Sequence, residues 1–213
     1  MPPRDAEPGR DCPRCPRLAA FRNTWRRKEP TWFNAPVPSF GPIGARLLIV
    51  GLAPGLQGAN RTGRPFTGDY AGVLLYDTLR KFGFARGEYG AHPDDGLELV
   101  DCRITNGVRC VPPENKPTPD EIRVCREFLA PAIAEMKKLQ VIVTLGRIAH
   151  DTTVRALGGK LSDHAFGHGN KSQLGSRTIF CSYHCSRYNT NTGVLTPEMF
   201  HKVFATVRRH LDA

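Results

Sequence analysis

No apolar run in the 213-residue sequence approaches the roughly 20 residues a membrane-crossing helix requires; Leu47 to Val50 is typical of what it has. A bilayer-spanning role is therefore not expected. The first residues, Met1 to Arg14, hold proline, arginine and aspartate but no apolar h-region. No secretory signal is expected, the compartment is expected to be the cytoplasm, and thiols there stay reduced. Phosphate-binding signatures are also missing. The glycine-rich stretch after Val50 lacks the Gly-Lys-Ser/Thr ending of a P-loop and the spacing of a dinucleotide fingerprint. Internal repeats and low-complexity tracts are absent. Acidic residues are the scarce charge: 20 Asp and Glu stand against 30 Lys and Arg, a net charge of +10. That balance favours a polyanionic partner. Two basic groups sharpen it, Arg22, Arg26, Arg27 and Lys28 beside Trp25 and Trp32, and Arg61, Arg64, Arg80, Lys81 and Arg86 in and after the glycine-rich stretch.

What is present reads as one domain, residues 1–213, of α/β layers around a largely parallel sheet. Short buried strands are expected at Arg46 to Val50, Leu99 to Asn106, Val141 to Leu145 and Thr178 to Ser182. Helical spacing covers Ala71 to Phe82 and Arg147 to Leu157. Thr118, Pro119 and Glu121 form a capping box for a helix to about Leu139, which Pro131 should kink or split. Thr196 and Pro197 open a last helix to about Leu211. In such sheets the chemistry gathers beyond the carboxyl ends of the strands. Three polar loops fall there: Gly51 to Asp69, Asn106 to Cys110, and His184 to Asn191.

Seven cysteines is an odd number. Cys12 and Cys15 form C-x-x-C between two prolines, a chelating turn that needs two further ligands. Cys110 and Cys125 would supply them if the fold brings the chain start beside the strand that ends near Asn106. Zinc and an iron-sulfur cluster both accept four thiolates. Cys102, Cys181 and Cys185 read as buried small hydrophobes.

Three blocks then become recognisable in order. The first is Gly-Leu-Ala-Pro from Gly51, then Gly-Ala-Asn-Arg-Thr-Gly-Arg and Phe-Thr-Gly-Asp ending at Asp69. The second is Asn106-Gly-Val-Arg-Cys-Val-Pro-Pro with Asn115-Lys116-Pro117, and the third His184 to Asn189 with Thr190-Asn191-Thr192-Gly193. From Cys12 to about Met199 the chain resembles the family 5 (type B) iron-sulfur uracil-DNA glycosylases. Family 4 would carry Glu where Leu52 stands. Cys185 replaces the usual Pro after the motif His, and Leu56-Gln57 replaces smaller residues.

The resemblance implies a three-layer fold with a central four-stranded parallel sheet flanked by helices, acting as a monomer on double- and single-stranded DNA. It implies a 4Fe-4S cluster on Cys12, Cys15, Cys110 and Cys125 that ties down the N-terminal segment, with zinc the less favoured alternative. Uracil, and in this family hypoxanthine and etheno adducts, would be flipped out and cut from the sugar. Phe66 would stack on the base, Asn106 would read its edge, and Gly51 and Ala53 would lie in the base-binding loop. Asp69 would steady the cationic sugar and orient water, its alternative being a helix N-cap. His184 would donate to the base O2. Asn60, Ser186, Arg187 and Tyr188 would contact DNA, Tyr188 as the wedge. A non-catalytic protein that binds damaged or abasic DNA, with a structural metal site, would satisfy the same charge and cysteines.

Overall fold

In a computed structural model, which describes residues 7–213, the chain runs α1 (Pro16–Lys28), β1 (Leu47–Gly51), α2 (Ala59–Thr62), α3 (Tyr70–Lys81), β2 (Ala85–Arg86), β3 (Glu98–Leu99), β4 (Cys102–Asn106), α4 (Pro119–Glu135), β5 (Val141–Leu145), α5 (Arg147–Ala156), β6 (Lys171–Leu174), β7 (Arg177–Ser182), α6 (Arg187–Asn191) and α7 (Pro197–Leu211). The main sheet has the order β4-β1-β5-β7-β6.

Every residue of β1 and β5 is buried, which is what covering both faces of a parallel sheet demands. Alternation assigns the faces. Leu47 and Ile49 join one core with residues of α3 and α7, while Leu48 and Val50 join another with residues of α4 and α5. Truncating one of these side chains to Ala should cost about 2–5 kcal/mol.

Strands β4, β1, β5 and β7 are parallel, as expected. A fifth, β6, adds antiparallel to β7. Its residues alternate exposed and half-buried from Lys171 on, a charged edge that blunts further pairing. The strand expected over Leu99 to Asn106 is broken at Asp101, whose φ is +53°. There the Asp101 carboxylate accepts from the Arg46 amide and from Arg46 Nε, both at 2.7 Å, so the chain turns before β4 begins.

Both faces of the Thr118 capping box form: Thr118 Oγ1 accepts from the Glu121 amide, and Glu121 Oε2 accepts from the Thr118 amide. Pro131 does not split α4, which runs unbroken to Glu135 and stops short of the expected Leu139. Because β1, β4, β5 and β7 point the same way, the segments that follow them gather at one edge of the sheet. Gly51 and Asn106 are paired at that edge. Among the described residues no helix is long and apolar enough to cross a membrane.

Candidate active site

The segments after β1, β4, β5 and β7 enclose a cavity of about 870 Å³. Ala53, Phe66, Asp69, Asn106 and His184 all line it. Gly51 does not. Its role is spacing: a Cβ there would lie 2.5 Å from Asn106 Oδ1 and 2.7 Å from the Phe66 ring, so only glycine lets the two side chains meet over the strand end.

The loop that presents Phe66 is fixed by side chains. Phe66 has φ +53°, a conformation that costs a non-glycine residue on the order of 1–3 kcal/mol and persists only when its surroundings impose it. The carbonyls of Pro65, Phe66 and Thr67 each accept from a hydroxyl, those of Tyr76 (2.6 Å), Tyr89 (3.1 Å) and Thr62 (3.1 Å). Arg64, assigned above to a basic DNA-binding group, is instead internal. It forms a two-pronged pair with Asp95 at 2.8 and 2.6 Å, both side chains 5% exposed. Helix α3 packs against this loop so closely that a Cβ on Gly72 would meet the Phe66 carbonyl at 1.9 Å.

Asp69 is the N-cap of α3, Oδ1 accepting from the Gly72 amide at 3.2 Å. Its other oxygen faces the glycines of the loop, where a Cβ would come to 2.6 Å at Gly58 and 3.1 Å at Gly55. One oxygen thus caps α3 while the other faces two glycines that line the cavity. Burial pushes its pKa up, and the Gly72 and Ala71 amides pull it back.

His184 stands across from Phe66, ring centroids 5.9 Å apart. Burial pushes its pKa down to about 4, so the ring is neutral at pH 7. Its own carbonyl accepts from Asn189 Nδ2 at 2.8 Å. Cys185, in place of the family proline, is buried and its thiol donates to the Ala71 carbonyl at 3.4 Å. This bond hooks the third loop onto the start of α3. Asn106 is buried, and its Oδ1 has no partner among the described residues.

The DNA-contact expectations divide. Ser186 lines the cavity and caps α6. Arg187 also lines it and lies 5.2 Å over the Tyr70 ring, while Tyr188 is 74% exposed. Asn60 needs correction: it is buried, and its Nδ2 donates to Asn34 Oδ1 at 2.8 Å. It fastens α2 to the segment around Asn34 and does not reach solvent. The first basic group is also largely structural. Arg22 is buried against Cys110 Sγ and the Cys12 carbonyl, Arg26 pairs with Asp11 at 2.6 Å, and Trp25 stacks on Trp32 at 5.6 Å. Arg86 pairs with Glu98, and Arg80 and Lys81 sit at the far end of α3, about 16 Å along the helix from its start.

The sequence reading missed the wall that follows β5, Gly146 to Ala149, where Ile148 and Arg147 are exposed at the cavity. The rule that sites gather beyond strand ends could have found it, since Gly146 follows β5 directly.

Cys12, Cys15, Cys110 and Cys125 line one small cavity backed by Leu18, Val108 and Phe128. Burial pushes three of the thiols up, Cys110, Cys15 to about 11 and Cys125 to about 12. Donors are aimed at two of the sulfurs: the Arg109 amide at Cys125 Sγ (3.3 Å) and Arg22 Nη1 at Cys110 Sγ (3.5 Å). Such donors fit thiolates, so the residues suit a positively charged metal group. Among the described residues no three His, Cys, Asp or Glu side chains converge on a single metal-ion position.

Comparison with known proteins agrees with this geometry. The family model of the Uracil DNA glycosylase superfamily matches residues 38–208. The chain is 44% identical over 205 residues to the type-5 uracil-DNA glycosylase of Thermus thermophilus, covering 93% of each. It is 38% identical over 197 residues to that of Pyrobaculum aerophilum, covering 91% of this chain and 86% of the relative. A type-4 uracil-DNA glycosylase of Sulfurisphaera tokodaii is 32% identical over 174 residues, 78% of this chain and 72% of the relative. With a parallel sheet whose strand ends bring the three sequence blocks to one cavity, and with these relatives over nearly its whole length, the chain belongs to the uracil-DNA glycosylase superfamily, in its type-5 branch.

Proposed function

We propose that the protein is a DNA-repair glycosylase that removes uracil from DNA and leaves an abasic site. One observation carries the reading: the Phe66 ring, the Asn106 amide, the Asp69 carboxylate and the neutral His184 ring line a single cavity.

A base must leave the stack to enter that cavity, at a cost of a few kcal/mol that is lowest for mispairs such as uracil opposite guanine. Phe66 stacks on the flipped base. The Asn106 amide holds both a donor and an acceptor, the complement of the uracil O4 and N3–H edge. As the C1′–N1 bond breaks, its electron pair goes to the base and positive charge develops on the sugar. The Asp69 oxygen not used in capping steadies that charge and orients a water, whose oxygen bonds to C1′ while its proton passes to the carboxylate or solvent. His184, being neutral, donates an imidazole N–H to the base O2 as charge gathers there. Leu52 offers no carboxylate, so Asp69 carries the water. Arg187 and Ser186 meet the backbone, and Tyr188 fills the vacated space. The cavity also has room for larger bases, which makes hypoxanthine a second candidate substrate.

Cys12, Cys15, Cys110 and Cys125 are the residues that would hold a 4Fe-4S cluster. Through these four residues a bound cluster would tie the chain start to the loop after β4 and to α4. On this reading residues 1–213 are one domain, acting as a monomer on double- and single-stranded DNA in the cytoplasm. The non-catalytic alternative is not favoured, because the relatives are named as glycosylases.

The test is chemical. Duplexes carrying uracil, cytosine or thymine at one position opposite guanine are incubated with the protein, and freed base is identified by chromatography. Uracil should be released and cytosine should not. No release, or equal release of all three, contradicts the reading.

A further inference from the structure

Tyr89 lies between the first two sequence blocks, in the connection from β2 to β3, and no part of the chemistry above uses it. Its hydroxyl donates to the Phe66 carbonyl at 3.1 Å and accepts from the Gly68 amide at 3.3 Å. One oxygen therefore bridges both ends of the Phe66-Thr67-Gly68 turn, whose first and last residues have φ of +53° and +89°. Burial pushes the phenol pKa up, so the hydroxyl keeps the proton it donates at neutral pH. The ring is held independently of that hydroxyl. It stacks on Tyr76 at 4.7 Å and lies 6.0 Å from the Arg64 guanidinium, which Asp95 anchors.

We infer that Tyr89 is a positioning residue for the base platform: its hydroxyl locks the turn that aims the Phe66 ring into the cavity. This rests on the excision reading above, because a stacking platform matters only to a flipped base. Of the three hydroxyls on this loop, Tyr89's is the one that holds the Phe66 residue itself. It also holds the Gly68 amide, so the turn is gripped on both sides of Thr67.

Tyr89→Phe removes the oxygen and leaves the ring. Single-turnover excision of uracil from a uracil–guanine duplex should fall about three- to tenfold, the worth of one hydrogen bond. Affinity for a duplex with an abasic site should change less than about twofold, because that product presents no base to Phe66. A merely structural role is separated by a double-mutant cycle. In a Phe66→Ala background Tyr89→Phe should lose less than about a further twofold, since the two act through one group. Placing 4-aminophenylalanine at position 89, which restores a donor, should recover most of the lost rate. Excision by Tyr89→Phe at the wild-type rate overturns the positioning role, as does an undiminished loss in the Phe66→Ala background. Absence of excision by the wild type overturns the functional reading and the proposal with it.

Discussion

Residues 63–69 and residues 7–15 are both irregular chain, and they are held in place by different means. The first stretch is gripped from inside the molecule. Three successive carbonyls accept from side-chain hydroxyls, and Arg64 makes a buried pair with Asp95, the kind whose breakage costs about 3–5 kcal/mol. The second combines pairs with solvent-facing members, Asp11 with Arg26 and Arg14 with Glu127, each worth about 0.2–1 kcal/mol, with two ties to buried arginines, Glu7 to Arg109 at 2.8 Å and the Cys12 carbonyl to Arg22 at 3.1 Å. Four cysteines and a few apolar side chains complete it. The difference separates two tasks. The loop proposed to touch the base is braced by side chains alone, whereas the chain start adds four cysteines that the proposed cluster would crosslink.

At the cavity the effect should fall on the rate. His184→Ala should lower single-turnover excision about 10²- to 10³-fold, the scale of losing one preorganised donor, with abasic-duplex binding nearly unchanged. The wild-type rate should be flat through about pH 6.5, where a free histidine titrates, and fall only toward about pH 4. Stability should follow the same sign. The unfolded chain takes up this proton near pH 6.5 while the folded one resists until about 4, so folding weakens as pH drops through that window. A rate inflection centred near 6.5 would mean a solvated, protonating ring.

At the chain start the effect should fall on stability. Cys12→Ser should abolish the visible absorption of the purified protein and lower its thermal midpoint by about 4–8 °C, whereas Cys102→Ser, in the sheet core, should keep the colour. A colourless wild-type protein containing zinc, prepared without oxygen, would reject the cluster.

Tyr188→Ala should have a smaller effect than His184→Ala: about tenfold slower excision from duplex and little change on single strands, because a wedge helps only where a base must be extruded. Equal losses on both substrates would remove the wedge role.

The sheet and the cavity floor were legible because they follow local rules. Continuous apolar runs mark β1 and β5, the capping box marks α4, and strand ends place Asp69, Asn106 and His184 together. The loop's internal bracing was not legible. Arg64 looks like a surface cation until the chain brings Asp95 to it, and Asn60 looks like a DNA contact until Asn34 takes its amide. Tyr89 and Cys185 act through backbone atoms of distant segments, which no spacing rule encodes. Asp101 broke an otherwise good strand pattern by bonding to Arg46.

Asp69 tests the account most directly, because one carboxylate is assigned both a cap and a catalytic role. Asparagine caps helices about as well as aspartate but carries no charge. Asp69→Asn should therefore keep the thermal midpoint within about 2 °C of wild type and lower single-turnover excision of uracil about 10²- to 10³-fold. Excision at the wild-type rate would contradict the account and leave Asp69 as a helix cap alone.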